Sequence, residues 1–371
     1  MLIFAQIRLR DSMKIIKLSY TDTNWEIKNL EFDNANLLVG KNSTGKSRTL
    51  STIDLLYKML TQKRDLNWGG KWEIVFQTTN NDTIEYSFAT SYQKSGVTYE
   101  NIKYNDEDVL KRDAPDSAIV KNSLTGSMDI IYPPTDKLIL HVNRDVRKYP
   151  ILEEIVNWAE DSFGFKFGNI SSYAQFNKQE YDMLTAIEDI PILFKRLSED
   201  NRQKIIRDIN DTGYNIENIS VIERAGIPML VIKENGIGKT LPYYTLSQGM
   251  FRALAVLIYV EYLLSRKRPA TIIIDDLCEG LDFSRATKLG EKIFGKCETN
   301  KIQLIATSND GFLMDVVDIK YWNVLLRKGK VVTAINIKNH PSLFEEFKFT
   351  GLSNFDFFSS DYIPKHLSEN D

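Results

Sequence analysis

The sequence predicts an α/β fold, with a mixed or parallel sheet, a small antiparallel β lobe and a helical insert. Three observations lead there. A glycine loop, VGKNSTGKS at 39–47, follows an apolar stretch and precedes apolar residues at helical spacing. An apolar run that ends in two acids, TIIIDD at 271–276, has the unbroken hydrophobic character of a strand buried on both faces. Between them, Trp72, Ile74 and Phe76 alternate with polar neighbours, and Ile84, Tyr86 and Phe88 do so after the turn TTNND, which predicts a hairpin.

Taken in order, residues 13–40 read as short strands ending in the apolar NLLV that feeds the loop. Leu50, Ile53, Tyr57 and Leu60 recur at helical spacing, so a helix follows it. A third antiparallel strand is expected at 97–104. Residues 105–135, polar and carrying Pro115 and Pro133–Pro134, read as a surface excursion, and KLILHV at 137–142 as a buried strand. From 151 to about 212 the pattern is helical, without a heptad sustained long enough for a coiled coil. A hairpin is expected at 219–233, then a buried helix over ALAVLIYV at 253–260. The resulting division is 13–145 for the first part of the core, 146–218 for the helical insert, 219–343 for its second part and 344–371 for an aromatic tail.

Bulk properties narrow the function classes. The chain has 371 residues, 43% hydrophobic and 26% charged, which is ordinary for a globular protein with a large core. Its net charge of −3 gives no global attraction to nucleic acid or anionic membrane. The longest apolar run stops at Glu261, short of the ~20 residues a bilayer needs. Two cysteines, Cys278 and Cys297, make no disulfide framework and no metal-ligand spacing, which suits a reducing cytoplasm. MLIFA is too short for a signal-peptide core, and MKIIKLSY at Met13 reads as a more natural start, with residues 1–12 an upstream extension.

The loop fits G-x-x-x-x-G-K-[ST] through Gly40, Gly45, Lys46 and Ser47. Backbone N–H groups of Lys41, Asn42, Ser43, Thr44 and Arg48 join these in a phosphate cradle at a helix N-terminus. Lys46 is placed to neutralise the outer phosphates and the Ser47 hydroxyl to ligate Mg²⁺. Chance alone gives such a match roughly once in a hundred chains of this length. A second GKT at 238–240 is a decoy, since Lys233 stands where its first glycine belongs. Asp275, at the carboxyl end of its strand, can hold Mg²⁺ through water, and Asp276 stands where a base could orient the attacking water. Before them, YTLSQGMFRAL at 244–254 places Ser247 and Gly249 at the start of an apolar helix. Ser247 reads either as an ordinary helix cap or as part of a second anion site.

Phosphate loop, LSQG, IIIDD, EGLD and LIATSND, in that order, resemble the ABC-type ATPase heads of the SMC/RecF/OLD superfamily. That resemblance covers about 13–60 and 240–325 and implies a P-loop NTPase fold, bound ATP and Mg²⁺, and hydrolysis to ADP and phosphate. It implies a head-to-tail homodimer in which Ser247, Gln248 and Gly249 meet the nucleotide of the opposite copy, and Gly280–Leu281–Asp282 cross the interface. Asn309 falls near the family's switch histidine. Two departures follow: the usual glutamate base is Asp276, and the usual histidine is Asn309, which cannot titrate near neutral pH; both put fast turnover in doubt. No glutamine falls cleanly at the Mg²⁺-sensing loop, with Gln77 and Gln93 as weak candidates.

The compact head is similar to the ATPase components of bacterial anti-phage systems such as Septu, which implies a separate nuclease or toxin as effector; DNA binding is left open, and no membrane is implied. The alternatives are a nucleotide-binding subunit of an ABC transporter, or a slow ATPase working mainly as a nucleotide-gated scaffold. A self-sufficient OLD-type nuclease is set aside because roughly 46 residues follow Leu326. A long-armed SMC tether is set aside because the insert is short. NRDVRK at 143–148 reads as solvated surface, Arg252 as a residue of the signature helix, and the tail aromatics as packing on their own domain.

Overall fold

The computed structural model describes residues 13–66, 69–91, 96–171, 190–266, 268–298, 302–360, 362–363 and 366. Among them, fourteen strands join in one sheet and three in a second, smaller one. The large sheet is built around five parallel strands in the spatial order Ser162–Lys166, Ala270–Asp275, Ile302–Thr307, Ala35–Val39 and Trp322–Lys328. Val331–Ile335 turns back antiparallel on the last of these. Glu26–Glu31, Met13–Thr21, Gly70–Thr78, Thr83–Ser91, Gly96–Tyr104, Glu107–Ala114, Ser117–Lys121 and Met128–Ile131 then continue the same sheet as a long arm, antiparallel from Glu26–Glu31 onward.

The apolar runs read as doubly buried strands are so because successive side chains enter different cores. On Ala270–Asp275, Ile272 and Ile274 belong to one cluster and Ile273 to the other. Leu37 and Leu38 split in the same way, as do Leu304 and Ile305. Period-two alternation on a sheet covered on both faces produces this division. One face is covered by Lys46–Leu60 and Pro150–Glu160, the other by Gln248–Ser265 and Phe283–Glu298. The small sheet, Ile216–Arg224, Ile227–Glu234 and Leu241–Pro242, packs with helices Ile190–Arg196 and Glu199–Asp211 in a side lobe. That lobe is tied to the body by Lys296, which pairs with Asp208 at 2.7 Å and with Glu261 at 2.9 Å.

Three expectations change. Residues 137–142 contain a short helix, Ile139–Val142, rather than a strand. The Ile139 N–H donates to the buried Glu100 carboxylate at 2.8 Å, and the Lys137 carbonyl accepts from Arg112 at 2.7 Å, so side chains of the arm take groups that a ladder would need. Residues 105–135 are three strands of the arm and not a surface excursion. The polar-looking sequence misleads there because Arg112 is fully buried, while Pro115 merely occupies the turn between two strands. Within the expected helical stretch, Ser162–Lys166 is a strand in the parallel core, its Phe165 buried.

Elsewhere the patterns match. Trp72, Ile74, Phe76, Ile84, Tyr86 and Phe88 are all buried, and the 219–233 hairpin is present. In the tail, Phe344, Phe347 and Phe357 pack beside Trp322, whereas Phe349 is 87% exposed. Arg144 of NRDVRK holds Glu153 with two hydrogen bonds, at 2.6 and 3.0 Å. Among the described residues no helix is long and apolar enough to cross a membrane.

Candidate functional site: a phosphate loop facing two aspartates

Strand Ala35–Val39 runs straight into the loop, and helix Lys46–Leu60 leaves it. Gly45 has φ +102°, and a Cβ there would sit 1.9 Å from the Trp25 ring. At Gly40 a Cβ would meet Thr44 Oγ1 at 2.5 Å. Both glycines are therefore dictated by close approach, and at Gly45 by conformation as well. The loop braces itself through Thr44 Oγ1 donating to Lys41 O at 2.8 Å and Arg327 donating to Ser43 O at 3.0 Å. Lys41, Asn42, Ser43, Ser47 and Arg48 are exposed.

Lys46 is buried, its ammonium folded across its own loop onto Gly40 O at 2.5 Å and Lys41 O at 3.4 Å. Burial lowers its pKa, while Asp276 and Asp275 pull it back up. A cation held by carbonyls in a partly dry loop is poised to exchange them for phosphate oxygens.

The carboxyl ends of the neighbouring parallel strands bring the acids to the same place. Asp275 Oδ1 accepts from Ser47 Oγ at 3.0 Å and from Thr307 Oγ1 at 2.6 Å. Ser47 and Asp275 thus converge as two hard oxygen donors of the kind that would hold a Mg²⁺ ion. Thr307 also accepts from the Asp276 N–H at 2.8 Å, so one hydroxyl aligns both acids. Asp276 turns out of the strand with φ 53°. Its Oδ1 accepts from Asn309 Nδ2 at 3.0 Å, and its Oδ2 pairs with Lys166 at 3.3 Å. Asp276, Gly280 and Asn309 share one cavity of about 230 Å³.

Ser247 caps helix Gln248–Ser265 by accepting from Met250 N at 3.3 Å, and both Ser247 and Gln248 are exposed. A Cβ on Gly249 would stand 3.0 Å from Leu281, so the loop Gly280–Leu281–Asp282 lies against this helix. Arg252 fastens the two, donating to Glu279 O at 3.3 Å, Gly168 O at 2.5 Å and Ile170 O at 3.3 Å. Among the described residues no hydrogen bond joins Ser247, Gln248 or Gly249 to the phosphate loop of the same chain.

Sequence reasoning missed two residues here. Thr307 ends an apolar strand and looked like an ordinary strand residue. Lys166 ends SFGFK, whose Phe163/Phe165 alternation was the available strand signal, hidden behind a strongly helical neighbour. Gln77 is not at the site: with Met13, Ala270 and Ile302, which begin their strands, it lines a cavity of about 280 Å³. Those residues mark the opposite end of the strands from Val39 and Asp275. Gln93 lies outside the described residues.

Residues 35–315 match the family described as "AAA domain, putative AbiEii toxin, Type IV TA system". The chain belongs to this AAA family. No curated protein matches it in sequence. Solved structures that share its fold include two SMC heads. One, an SMC head bound to the C-terminal winged-helix domain of ScpA, is 12% identical with a TM-score of 0.54, covering 86% of this chain and 97% of that one. The other is the SMC head with an extended coiled coil, bound to the C-terminal domain of ScpA, derived from Pyrococcus furiosus. It is 10% identical with a TM-score of 0.53, covering 91% and 100%. The protein is thus an AAA-family chain with the P-loop NTPase fold seen in SMC head domains.

Proposed function

We propose that this AAA-family head binds ATP with Mg²⁺ through Gly40–Arg48 and Asp275, and hydrolyses it slowly while two copies close head-to-tail over two nucleotides. One observation carries the reading. Ser47, Asp275, Thr307, Asp276 and Asn309 form a single hydrogen-bonded chain at the carboxyl edge of the parallel strands, with the Lys46 ammonium nearby on the loop carbonyl of Gly40. Lys46 holds the outer phosphates, Ser47 and Asp275 hold the metal, and Asp276 takes a proton from the attacking water. Mg²⁺, when bound, supplies charge neutralisation for the departing phosphates. Ser247 and Gln248 stand exposed at the N-terminus of helix Gln248–Ser265, which supports their use against the nucleotide of a second copy.

Slow turnover is supported by the engagement of both Asp276 oxygens. The head then serves mainly as a nucleotide-gated switch for a separate effector, in the cytoplasm. The family's toxin–antitoxin description supports a setting in bacterial anti-phage defence or DNA surveillance, with a nuclease or toxin as effector. The ScpA-bound SMC heads support partner docking in general.

Mixing tests the dimer. Lys46→Ala and Ser247→Arg chains are each inactive alone, and mixed they regain up to about half of wild-type hydrolysis if the sites act independently, because one composite site then carries neither lesion. Full hydrolysis by a strictly monomeric protein, or no recovery in proven heterodimers, would leave Ser247 as a helix cap.

A further inference from the structure

Strand Ser162–Lys166 brings to the acids a cation that no nucleotide motif requires. Its register against the neighbouring parallel strand sets Lys166 opposite Asp275. The ammonium lies 3.3 Å from Asp276 Oδ2 while Asn309 holds Oδ1 at 3.0 Å. A carboxylate engaged on both oxygens by donors is poorly placed to take a proton from water.

We propose that Lys166 is a positioning residue that reads the third phosphate of the nucleotide: it holds Asp276 in the resting site and moves onto the γ-phosphate when ATP enters, releasing the carboxylate. This rests on the ATP-binding reading given above.

Three features favour movement of the side chain over movement of the backbone. The Lys166 side chain is 37% exposed, against 14% for Asp276, so its long stem can reorient through water. Residues just beyond it are held by the Arg252 guanidinium on Gly168 O and Ile170 O, and that same guanidinium holds Glu279 O beside the signature helix. Lys166 also ends a parallel ladder of five paired residues, Ser162 opposite Thr271 through Lys166 opposite Asp275, which fixes its backbone.

Charge supplies the direction of the exchange. Asp275 and Asp276 already confront Lys46 with two carboxylates, and the γ-phosphate adds further negative charge beside them. A second ammonium within reach is drawn to the larger charge, and a released Lys166 leaves Asp276 only its Asn309 bond. ADP brings no such group. The same lysine would therefore leave ADP affinity nearly untouched.

Calorimetry on the full chain with Mg²⁺ compares ADP with the non-hydrolysable β,γ-imido analogue of ATP. Wild type prefers the analogue. Lys166→Met lowers affinity for the analogue about tenfold or more, the scale of one charge-assisted hydrogen bond, while ADP affinity stays within about twofold. Lys166→Arg keeps most of the preference. Lys166→Gln is run beside Lys166→Met, with melting temperatures, in case the apolar variant fails to fold. An unchanged preference in a folded Lys166 variant overturns the inference, and so does an equal loss for both nucleotides. Wild type that binds neither nucleotide, or Lys46→Ala that binds both as wild type does, overturns instead the nucleotide reading on which the inference stands.

Discussion

The antiparallel arm and the nucleotide edge each contain a cluster of opposite charges, and the two are built differently. In the arm, Arg112 and Glu100 are both fully buried. The Arg112 guanidinium donates to the carbonyls of Lys137, Pro134 and Pro115, and Glu100 accepts from Ile139 N and Tyr86 Oη. Nearly every partner is backbone or buried side chain, so nothing there can be exchanged. At the nucleotide edge the cations rest on loop carbonyls or on a partly exposed carboxylate. The structural ion pair is closed to solvent even though Arg112 Nε finds no partner among the described residues, whereas a working one keeps replaceable partners and an open side. The same residue types serve both, and accessibility separates them.

The sharpest way to break this contrast is Lys46→Ala. ATP binding should fall below detection by calorimetry, with melting little changed or raised, because the substitution removes a buried ammonium. Arg112→Ala should do the reverse. It removes the cation beside Glu100, which keeps only Ile139 N and Tyr86 Oη, and takes the guanidinium donor from three carbonyls, a loss of about 3–5 kcal/mol in chemical denaturation, with nucleotide affinity of the surviving folded fraction unchanged.

Asp276→Asn is expected to bind ATP·Mg²⁺ yet hydrolyse it at least tenfold more slowly and to accumulate a closed dimer in light scattering, since an amide cannot accept the proton of water. Untouched hydrolysis would assign that role to another residue.

The smallest effect concerns pH. Burial pushes the Glu100 carboxyl up to about 7, against the opposing pulls of the Ile139 N–H, Arg112 and Tyr86. The folded state therefore keeps a proton that the unfolded chain has already released. Stability should decline as pH rises from about 4.5 to about 7 and level off above. Glu100→Gln should flatten that slope, measured by denaturation at pH 5 and pH 8. An unaltered slope would place the titrating group elsewhere.

How much of this could be seen in the sequence follows the same division. The phosphate loop was legible because its chemistry demands fixed spacing between Gly40, Gly45, Lys46 and Ser47. The parallel core was legible in TIIIDD because double burial leaves no polar position. The arm beyond Tyr104 was not, since Arg112 sits in the core while a polarity count assigns it to the surface. Lys166 escaped for another reason. Its strand is only five residues long and directly follows a helix, so local pattern could not announce a partner more than a hundred residues away in the chain. The same holds for Thr307, whose importance lies in two hydrogen bonds made across strand ends.

Trp25 adds a practical consequence. Its indole lies directly beneath Gly45, with Arg48 4.5 Å and Arg327 5.3 Å from the ring centroid, and its Nε1 has no hydrogen-bond partner among the described residues. Arg48 belongs to the phosphate loop and Arg327 braces it, so any rearrangement of the cradle changes the electric field across that ring. The protein thereby carries a built-in optical reporter of its own loop, a change in emission that can be followed in stopped flow without a label and assigned, against the other four tryptophans, by its loss in Trp25→Phe.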